Sequence, residues 1–357
     1  SLCDNGIFFE RCFTPAYGTA RGVWATVTGI PDVVSPGTAS RNPAAVDQHT
    51  IINDFKGYEH YYFLGGDPTW ANIQGLLKNN IEDLHLFQDF KSKNLDVWGI
   101  SDKNLFLEAN DELKKQTKPF FAIIQTADNH RPYSIPKEDL QEFKNVEFPA
   151  DSLKKYGFDK NDELNAFRYT DFCFQKYMEA AKKESYFDNT IFVFVGDHGI
   201  RGDAAGMFPK AWTEQGLTTV HVPLLFYSPK LIKPQRYSYT CSQVDVLPTI
   251  ASLTHTSYGN STLGRDLFFP DIDYRLKATD HYAFVFDEGV QTIGVVSDQY
   301  YFLKNLRSGK QDFVSVLSND PVQPTPQTDS IKKVLNDLTD GYYQTAKYML
   351  LNNKKSR

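Results

Sequence analysis

The stretch that most constrains the fold is residues 191–199, which read Ile-Phe-Val-Phe-Val-Gly-Asp-His-Gly. Five consecutive β-branched or aromatic residues predict a strand buried on both faces, as occurs in a parallel sheet covered by helices. Asp197 and His198 then lie just past the carboxyl end of that strand, where open α/β sheets bind their ligands. A carboxylate oxygen beside an imidazole nitrogen can bind a divalent cation. For an isolated Asp-His pair, the alternative is a loop carboxylate beside a solvent-facing histidine.

Composition and charge exclude several classes of protein. The 357 residues are 41% hydrophobic and 23% charged, which is typical of a globular chain. Because the net charge is −6 and no long basic run occurs, we expect no nucleic acid partner. No run of about 18 apolar residues is present, so no membrane span is expected within these residues. The four cysteines form no Cys-x-x-Cys pair, which argues against a zinc knuckle.

The order of apolar runs predicts the fold class. Strand and helix patterns alternate to about residue 270, which favours an α/β domain with a mixed, mostly parallel sheet sandwiched by helices. Short strand patterns follow at 281–287, 292–296 and 299–303, and a helical pattern covers 330–352. We therefore expect a catalytic domain over 1–270 and a C-terminal subdomain over 271–357, built of a small antiparallel sheet plus a helix.

Thr19 and Arg21 are candidates for binding an anion. Residues 14–22 are rich in turn formers and lead into an apolar stretch that ends at Gly29. This pattern predicts a helix with Thr19 at or near its N-terminus, where free backbone N–H groups favour an anion. A hydroxyl and a guanidinium two residues apart could hold a phosphate or a sulfate. The alternative is that Thr19 only caps the helix.

Two more predicted strands end in polar clusters. The strand 61–64 runs into Gly65-Gly66-Asp67-Pro68, and Trp70 follows at the start of a helix. The strand 120–125 runs into a polar stretch that contains Asn129 and His130. These side chains are candidates for substrate binding at the same rim as Asp197. Asp67 could instead lie in a tight turn and cap the following helix, and His130 could be an ordinary polar surface residue.

Two further positions bear on the site. His221 heads another predicted buried strand, 221–227, and is a further candidate substrate contact. Asp171 and Gln175 lie one turn apart on the long predicted helix over 162–184. A histidine at 175 would have suggested a second metal site, but glutamine is a poor ligand. The sequence therefore predicts one metal ion and not two.

This set of residues suits attack on a tetrahedral anionic ester by a metal-activated hydroxyl. A free threonine hydroxyl is a weak nucleophile at neutral pH, and a bound divalent cation lowers its pKa. Arg21 and the helix N-terminus could hold the non-reacting oxygens. His130 could bind substrate oxygens or protonate the leaving alkoxide.

Seven short motifs, in order along the chain, resemble the extracellular domain of lipoteichoic acid synthases and related phosphoglycerol transferases. That family belongs to the sulfatase branch of the alkaline phosphatase superfamily. The motifs are residues 6–9 (GIFF), 63–67 (FLGGD), 128–133 (DNHRPY), 187–191 (FDNTI), 196–199 (GDHG), 221–225 (HVPLL) and 242–249 (SQVDVLPT).

The resemblance implies specific roles. Thr19 would be the nucleophile and a metal ligand, Asp197 and His198 would be metal ligands, and His130 would contact the substrate head group. The cofactor would be one Mn²⁺ or Mg²⁺ ion. Enzymes of this family act on anionic lipid or glycan substrates at the extracytoplasmic face of the bacterial membrane, in the periplasm or at the cell surface. They are held there by an N-terminal membrane anchor.

The chain also departs from the family pattern. The remaining metal ligand of the family is an acidic residue at the end of the first core strand, and residues 1–9 match the segment after that strand. Gly65 and Asn72 stand roughly where the synthases have His and Arg. Cys12 is not followed by an arginine at the position that formylglycine formation requires. We therefore expect no formylglycine, and a metal ligand outside this sequence.

The sequence thus predicts a metal-dependent phosphoglycerol transferase, or a phosphodiester or sulfate ester hydrolase, that uses Thr19. The alternative is a non-catalytic member of the same fold that binds a glycan or a lipid head group.

Overall fold

The computed structural model describes residues 1–268 and 281–355. The α-helices of these residues are α1 Leu2–Asn5, α2 Thr19–Thr28, α3 Ile73–Asn80, α4 Asp102–Leu113, α5 Ala150–Lys155, α6 Asn161–Ala181, α7 Lys210–Glu214, α8 Val246–Leu253 and α9 Pro326–Asn352. The strands are β1 Ile7–Phe13, β2 Glu59–Leu64, β3 Leu84–Phe87, β4 Phe120–Gln125, β5 Phe192–Val195, β6 His221–Tyr227, β7 Gln235–Ser242, β8 Tyr282–Asp287, β9 Thr292–Ser297, β10 Tyr300–Asn305 and β11 Gln311–Ser315.

The strands form three sheets. The first sheet has the order β5-β6-β1-β7, in which β1 is parallel to β7 and antiparallel to β6. The second sheet, β3-β2-β4, is parallel throughout. The third sheet, β11-β10-β9-β8, is antiparallel throughout. The predicted α/β fold with mixed strand directions and a C-terminal antiparallel sheet plus helix is therefore confirmed.

One part of the sequence prediction was wrong. The run at residues 191–195 was expected to form a strand inside a parallel sheet. In the structure β5 lies at the edge of the first sheet and pairs antiparallel with β6. A continuous apolar run cannot reveal this difference, because a strand with one open edge can still have apolar side chains on both faces.

The C-terminal sheet shares a hydrophobic core with the rest of the molecule. Phe284 of β8 and Leu335 of α9 are buried in the same cluster as Trp24 of α2 and Tyr62 of β2. The backbone N–H of Phe286 also donates to the carbonyl of Pro15, 2.7 Å away, just before α2. The predicted domain boundary at 270/271 lies outside the described residues, so the division into two domains stays a prediction.

Residues of the first and second sheets line one cavity of about 1890 Å³. It is lined by side chains of β4 and β5, which are edge strands of their sheets. Phe106 of α4 and Tyr177 of α6 also line the cavity, as do Val23 and Val27 of α2. Within the described residues, neither strand has a hydrogen-bonded neighbour on its second edge. The cavity is therefore a gap between two sheets, and its polar side chains lie where the strands end.

Candidate active site

Helix α2 begins at Thr19 because the preceding residue cannot be helical. Gly18 precedes it with φ of 104°, a conformation that favours glycine, and Gly29 ends the helix in the left-handed conformation with φ of 65°. Val23, Trp24 and Val27 are buried in the core. The apolar face of α2 thus holds the helix in the core and places Thr19 at its exposed end. The predicted helix and both of its ends are confirmed.

Thr19 lies against the Asp197-His198 pair. The distance from Thr19 Oγ1 to His198 Nε2 is 3.4 Å, and that from His198 Nε2 to Asp197 Oδ2 is 3.6 Å. His198 Nδ1 lies 2.7 Å from the carbonyl oxygen of Gly199, which can only accept, so Nδ1 carries the proton. In a neutral ring Nε2 is then left with a free lone pair. Three oxygen and nitrogen donor atoms therefore converge at one point.

Close backbone contact holds α2 against the loop of Asp197. A Cβ atom at Gly22 would lie 2.3 Å from the carbonyl oxygen of Asp197. Only glycine allows the first turn of α2 to approach this loop so closely, because it has no side chain. Gly22 thus brings Thr19 within reach of His198, a role that the sequence did not indicate.

Two aromatic or basic neighbours complete this cluster and were missed from the sequence. The ring of Tyr17 packs edge-on against the imidazole of His198, with 4.7 Å between centroids. The guanidinium of Arg201 lies 4.9 Å from the centre of the Tyr17 ring. Tyr17 could have been recognised from the sequence because it lies in a turn, two positions before the candidate nucleophile Thr19. For Arg201, the only signal in the sequence was its position in the loop after His198.

A second cluster lies at the ends of β2 and β4. The imidazole of His130 packs on the indole of Trp98, with 4.1 Å between ring centroids, and Trp70 meets Trp98 edge-on at 6.2 Å. Asp67 accepts hydrogen bonds from the backbone and the hydroxyl of Thr69, at 2.8 and 2.7 Å. Asp67 therefore lies in a tight turn, as the alternative interpretation expected, but Thr69 and not Asp67 precedes the short helix at Trp70. Asn129 and His130 line the cavity together with Asp67 and Trp70.

The two clusters share one rim of the cavity. The hydroxyl of Tyr62 in β2 donates to Gln125 Oε1 at the end of β4, 2.6 Å away. Burial raises the pKa of Tyr62, and the carboxylate of Asp197 raises it further. The charge of Asp197 thus acts on the side chain of Tyr62 near the end of β2. Thr19, Asp197, His198, Asp67, Trp70, Asn129 and His130 all line this cavity.

The contacts of Arg21 give it a structural role instead of the expected anion-binding one. Its side chain is 5% exposed and forms ion pairs with Asp32 and Glu288, at 3.3 and 2.9 Å. It also donates to the carbonyl oxygens of Asp32, Val34 and Gly37. With its donors committed to these partners, the guanidinium ties α2 to the following loop and to the turn after β8. The substrate-binding role predicted for Arg21 has no support in these contacts.

His221 is likewise engaged in packing. Its Nε2 donates to the carbonyl oxygen of Glu10, 2.8 Å away, and its ring packs between Phe13 and Trp212. Burial lowers the pKa of His221, which favours the neutral ring. The histidine thus holds β6 against β1. These contacts do not support the predicted substrate-binding role.

A buried pair of carboxyl groups supports the loop that carries His130. Asp128 Oδ2 accepts from the backbone N–H of Asp102 at 2.7 Å, and Asp102 accepts from the N–H groups of Ala127 and Asp128. Burial raises the pKa of both carboxyls, and Asp102 raises that of Asp128 further. These bonds join the start of α4 to the end of β4.

We expect Asp128→Asn to raise the free energy of unfolding at pH 8. Because the folded pKa of Asp128 is raised, the folded state holds a proton that the unfolded state releases above pH about 4. Wild-type stability should therefore fall as the pH rises above this value, by at most about 1.4 kcal/mol per pH unit for one proton. The asparagine can still accept from Asp102, and it stays neutral.

Urea unfolding between pH 4 and pH 9 measures this difference. The curve of Asp128→Asn should be flatter than that of the wild type. Asp151→Asn, at an exposed carboxylate of α5, serves as the matched control and should follow the wild type. Identical pH dependence in Asp128→Asn and the wild type would show that the pair does not titrate in this range.

The donor atoms around Thr19 fit a hard divalent cation in type but are few in number. A carboxylate oxygen, a hydroxyl oxygen and an unprotonated imidazole nitrogen are all suitable ligands. His198 also has the hydrogen bond from its other nitrogen to a carbonyl that is common among metal-binding histidines. Over residues 1–268 and 281–355, however, no three His, Cys, Asp or Glu side chains are grouped so as to hold a metal ion.

Comparison with solved structures defines the fold. The structure is similar to a protein in the alkaline phosphatase superfamily from Vibrio parahaemolyticus, with a TM-score of 0.76, 22% identity, and coverage of 100% of this chain and 81% of that one. It is also similar to the lipoteichoic acid synthase LtaP from Listeria monocytogenes, with a TM-score of 0.77, 17% identity, and coverage of 100% and 86%. The alkaline phosphatase and sulfatase type of fold expected from the sequence is confirmed.

Sequence comparison identifies the family. The family model described as Sulfatase matches residues 1–256, and the chain belongs to this family. It is 24% identical over 242 residues to the lipoteichoic acid synthase-like YvgJ of Bacillus subtilis, covering 62% of this chain and 37% of that protein. It is 27% identical over 195 residues to lipoteichoic acid synthase 1 of the same organism, covering 52% and 29%.

These matches cover only about a third of the curated relatives' length, 37% and 29%. The expected resemblance to lipoteichoic acid synthases in the sulfatase branch is nevertheless confirmed. Membership of a family of enzymes that act on phosphate or sulfate esters is also confirmed.

Proposed function

We propose that this chain is the catalytic part of a metal-dependent phosphoglycerol transferase, or of a phosphodiester or sulfate ester hydrolase, that acts through Thr19. The observation that carries the proposal is the 3.4 Å contact between Thr19 Oγ1 and Nε2 of His198, beside Asp197. The sulfatase family match and the names of the relatives favour this reaction class. The substrate would be an anionic lipid or glycan that carries a phosphate or sulfate ester.

In this proposal the cluster around Thr19 carries out the attack on the ester, and the cluster around His130 contacts the substrate. Thr19 Oγ1 gives up its proton to water and attacks the phosphorus or sulfur atom of the ester. The bond from that atom to the leaving alkoxide breaks, and the alkoxide takes a proton from water. A hydroxyl group of the acceptor, or water in a hydrolase, then displaces the transferred group from Thr19 Oγ1. The first N–H groups of α2, beside Thr19, hold non-reacting oxygens of the anion. His130, which lines the same cavity, contacts the head group of the substrate, where its Nε2 can accept a hydrogen bond from a hydroxyl group.

Thr19, Asp197 and His198 would hold one Mn²⁺ or Mg²⁺ ion. When bound, such an ion lowers the pKa of a ligating hydroxyl and neutralises charge on the ester. We propose that a further ligand comes from outside the described residues. The open edges of β4 and β5 support this, because a strand pairing there in parallel would end at the rim beside Asp197.

A non-catalytic protein of the same fold, which binds a glycan or a lipid head group, is the second candidate. The small number of metal ligands among the described residues favours it. In such a protein Thr19 would serve only as the first residue of α2, and its hydroxyl would not be needed for binding. Ester turnover separates the two candidates.

The test is an assay of a chromogenic phosphodiester, a phosphate monoester and a sulfate ester with Mn²⁺ or Mg²⁺. We expect metal-dependent turnover of at least one ester, abolished by a chelator and restored by the metal. No turnover of any ester by the longest natural form of the protein would refute the enzymatic proposal. The relative rates then identify the transferred group.

We expect Mn²⁺ to raise the melting temperature of the wild-type protein, by an amount that grows with the logarithm of its concentration above the Kd. His198→Gln should lose this rise, because the amide is a poor replacement for the imidazole ligand. His85→Gln, at an exposed histidine of β3 that is not among the residues lining the cavity, is the matched control. An equal rise in His198→Gln and the wild type would place the metal elsewhere.

The proposed site of action is the outer face of the cytoplasmic membrane, as the names of the lipoteichoic acid synthase relatives suggest. The anchor expected from the resemblance would then belong to a part of the protein outside this sequence. Among the helices described, none combines the length and the apolar character needed to cross a membrane.

A further inference from the structure

We propose that Trp98 is the residue that positions His130 for the ester. This inference rests on the proposed function, in which His130 contacts the substrate. Trp98 lies 32 positions before His130 in the sequence, and no pattern around it suggests a role in the site. In the structure, it joins the loop after β2 to the loop after β4.

The backbone around Trp98 packs closely against the loop after β2. Its N–H donates to Asp96 Oδ1 at 2.8 Å, and the N–H of Ile100 donates to the carbonyl of Gly65 at 3.3 Å. A Cβ atom at Gly66 would lie 2.4 Å from the carbonyl oxygen of Trp98, and Gly99 has φ of 115°. These contacts require glycine and leave the turn of Trp98 little freedom relative to β2.

The side chain of Trp98 holds the loop after β4. Its Nε1–H donates to the carbonyl oxygen of Arg131 at 2.6 Å. His130 Nδ1 lies 2.8 Å from the same oxygen, so it also donates to it. The two rings pack with 4.1 Å between centroids and 54° between planes. One carbonyl oxygen, with two lone pairs, thus accepts from both side chains.

This arrangement selects one orientation of His130. Because Nδ1 is committed to Arg131, Nε2 is the nitrogen available to the substrate. Trp98 fixes the carbonyl that holds Nδ1 and covers one side of the ring. Without Trp98 the imidazole could rotate, and its two nitrogens would exchange roles. The contact therefore positions His130, while Trp98 itself touches none of Thr19, Asp197 and His198 in the described contacts.

Two substitutions separate the hydrogen bond from the ring contact. Trp98→Phe keeps an aromatic ring against His130 but removes the N–H donor. Trp98→Leu removes both. Trp70→Phe is the matched control for the spectroscopic measurement, since the ring of Trp70 packs against Trp98 and Arg41 and not against the imidazole of His130 among the described residues. Circular dichroism and melting curves show that each variant is folded before it is compared.

The first measurement is the ring ¹⁵N chemical shifts of His130, assigned by their loss in His130→Gln. We expect the wild type to show one tautomer with the proton on Nδ1. Trp98→Phe should show a mixture of tautomers, and Trp98→Leu a larger share of the second one. Trp70→Phe should match the wild type. Wild-type shifts in folded Trp98→Phe and Trp98→Leu would overturn the proposal.

The second measurement is kcat and KM for the ester that the protein cleaves best. We expect Trp98→Leu to lower kcat/KM roughly tenfold, as is typical when a residue that orients a functional histidine is removed, and Trp98→Phe to lower it less. If no ester is cleaved, the proposed function fails, while the ¹⁵N shifts still decide whether Trp98 orients His130. If the enzyme is active and kcat/KM of Trp98→Leu equals that of the wild type, the positioning role is refuted.

Discussion

Thr19→Ala is expected to lower the turnover of the best ester substrate by at least about 10³-fold, because it removes the proposed nucleophile. The fold should be unaffected, since Thr19 caps nothing with its side chain and alanine is a good first residue for a helix. Thr19→Ser keeps a hydroxyl group and should retain a measurable part of the activity. The measurement is kcat with saturating Mn²⁺.

A matched control is available in the same helix. The hydroxyl of Thr26 donates to the carbonyl of Gly22 at 2.9 Å and is therefore already used within α2. Thr26→Ala should leave kcat close to that of the wild type. If Thr19→Ala were as active as Thr26→Ala, the nucleophile would be another group or a water molecule, and the proposal for Thr19 would be wrong.

The second large effect is expected at Gly22, where the new methyl group has no room. In Gly22→Ala, Cβ would lie 2.3 Å from the oxygen and 2.7 Å from the carbon of the Asp197 carbonyl. Since both neighbours are backbone atoms, α2 and the Asp197 loop must move apart. We expect a loss of about 1–3 kcal/mol in the free energy of unfolding, as for other overpacked sites. Mn²⁺ binding and turnover should fall as well, because the shift separates Thr19 from His198.

Gly341 provides the comparison, since it is also a helical glycine but its Cβ position is open to solvent. Gly341→Ala should stabilise α9 slightly, by about 0.5–1 kcal/mol. Urea unfolding and a Mn²⁺ titration of both variants measure the two effects. Wild-type stability and Mn²⁺ affinity in Gly22→Ala would mean that this close approach does not position the site.

Much of the local structure could be predicted from the sequence because it depends on neighbouring residues. The start of α2 at Thr19, its end at Gly29, and the polar clusters that follow β2, β4 and β5 were all visible as short patterns. Turn formers, helix caps and apolar periodicity act over a few residues, so they can be recognised without knowledge of the fold. The resemblance of ordered motifs then indicated the family.

Other predictions found no support where a distant partner occupies a side chain. Arg21 was expected to bind an anion, but Glu288 occupies its guanidinium from 267 positions away along the chain, together with Asp32. His221 was expected near the substrate, but it bonds to the backbone of Glu10. Trp98 was overlooked, although it contacts His130 directly.

The sequence alone determined which side chains follow the strands and which residue begins α2. The tertiary structure decided which of them meet. Thr19 and His198 are 179 positions apart, and their 3.4 Å contact depends on the packing of α2 against the Asp197 loop at Gly22. The edge position of β5 and the gap beside it depend on strand pairing across the whole chain. Such contacts join segments that no local pattern links, and only the folded chain brings them together.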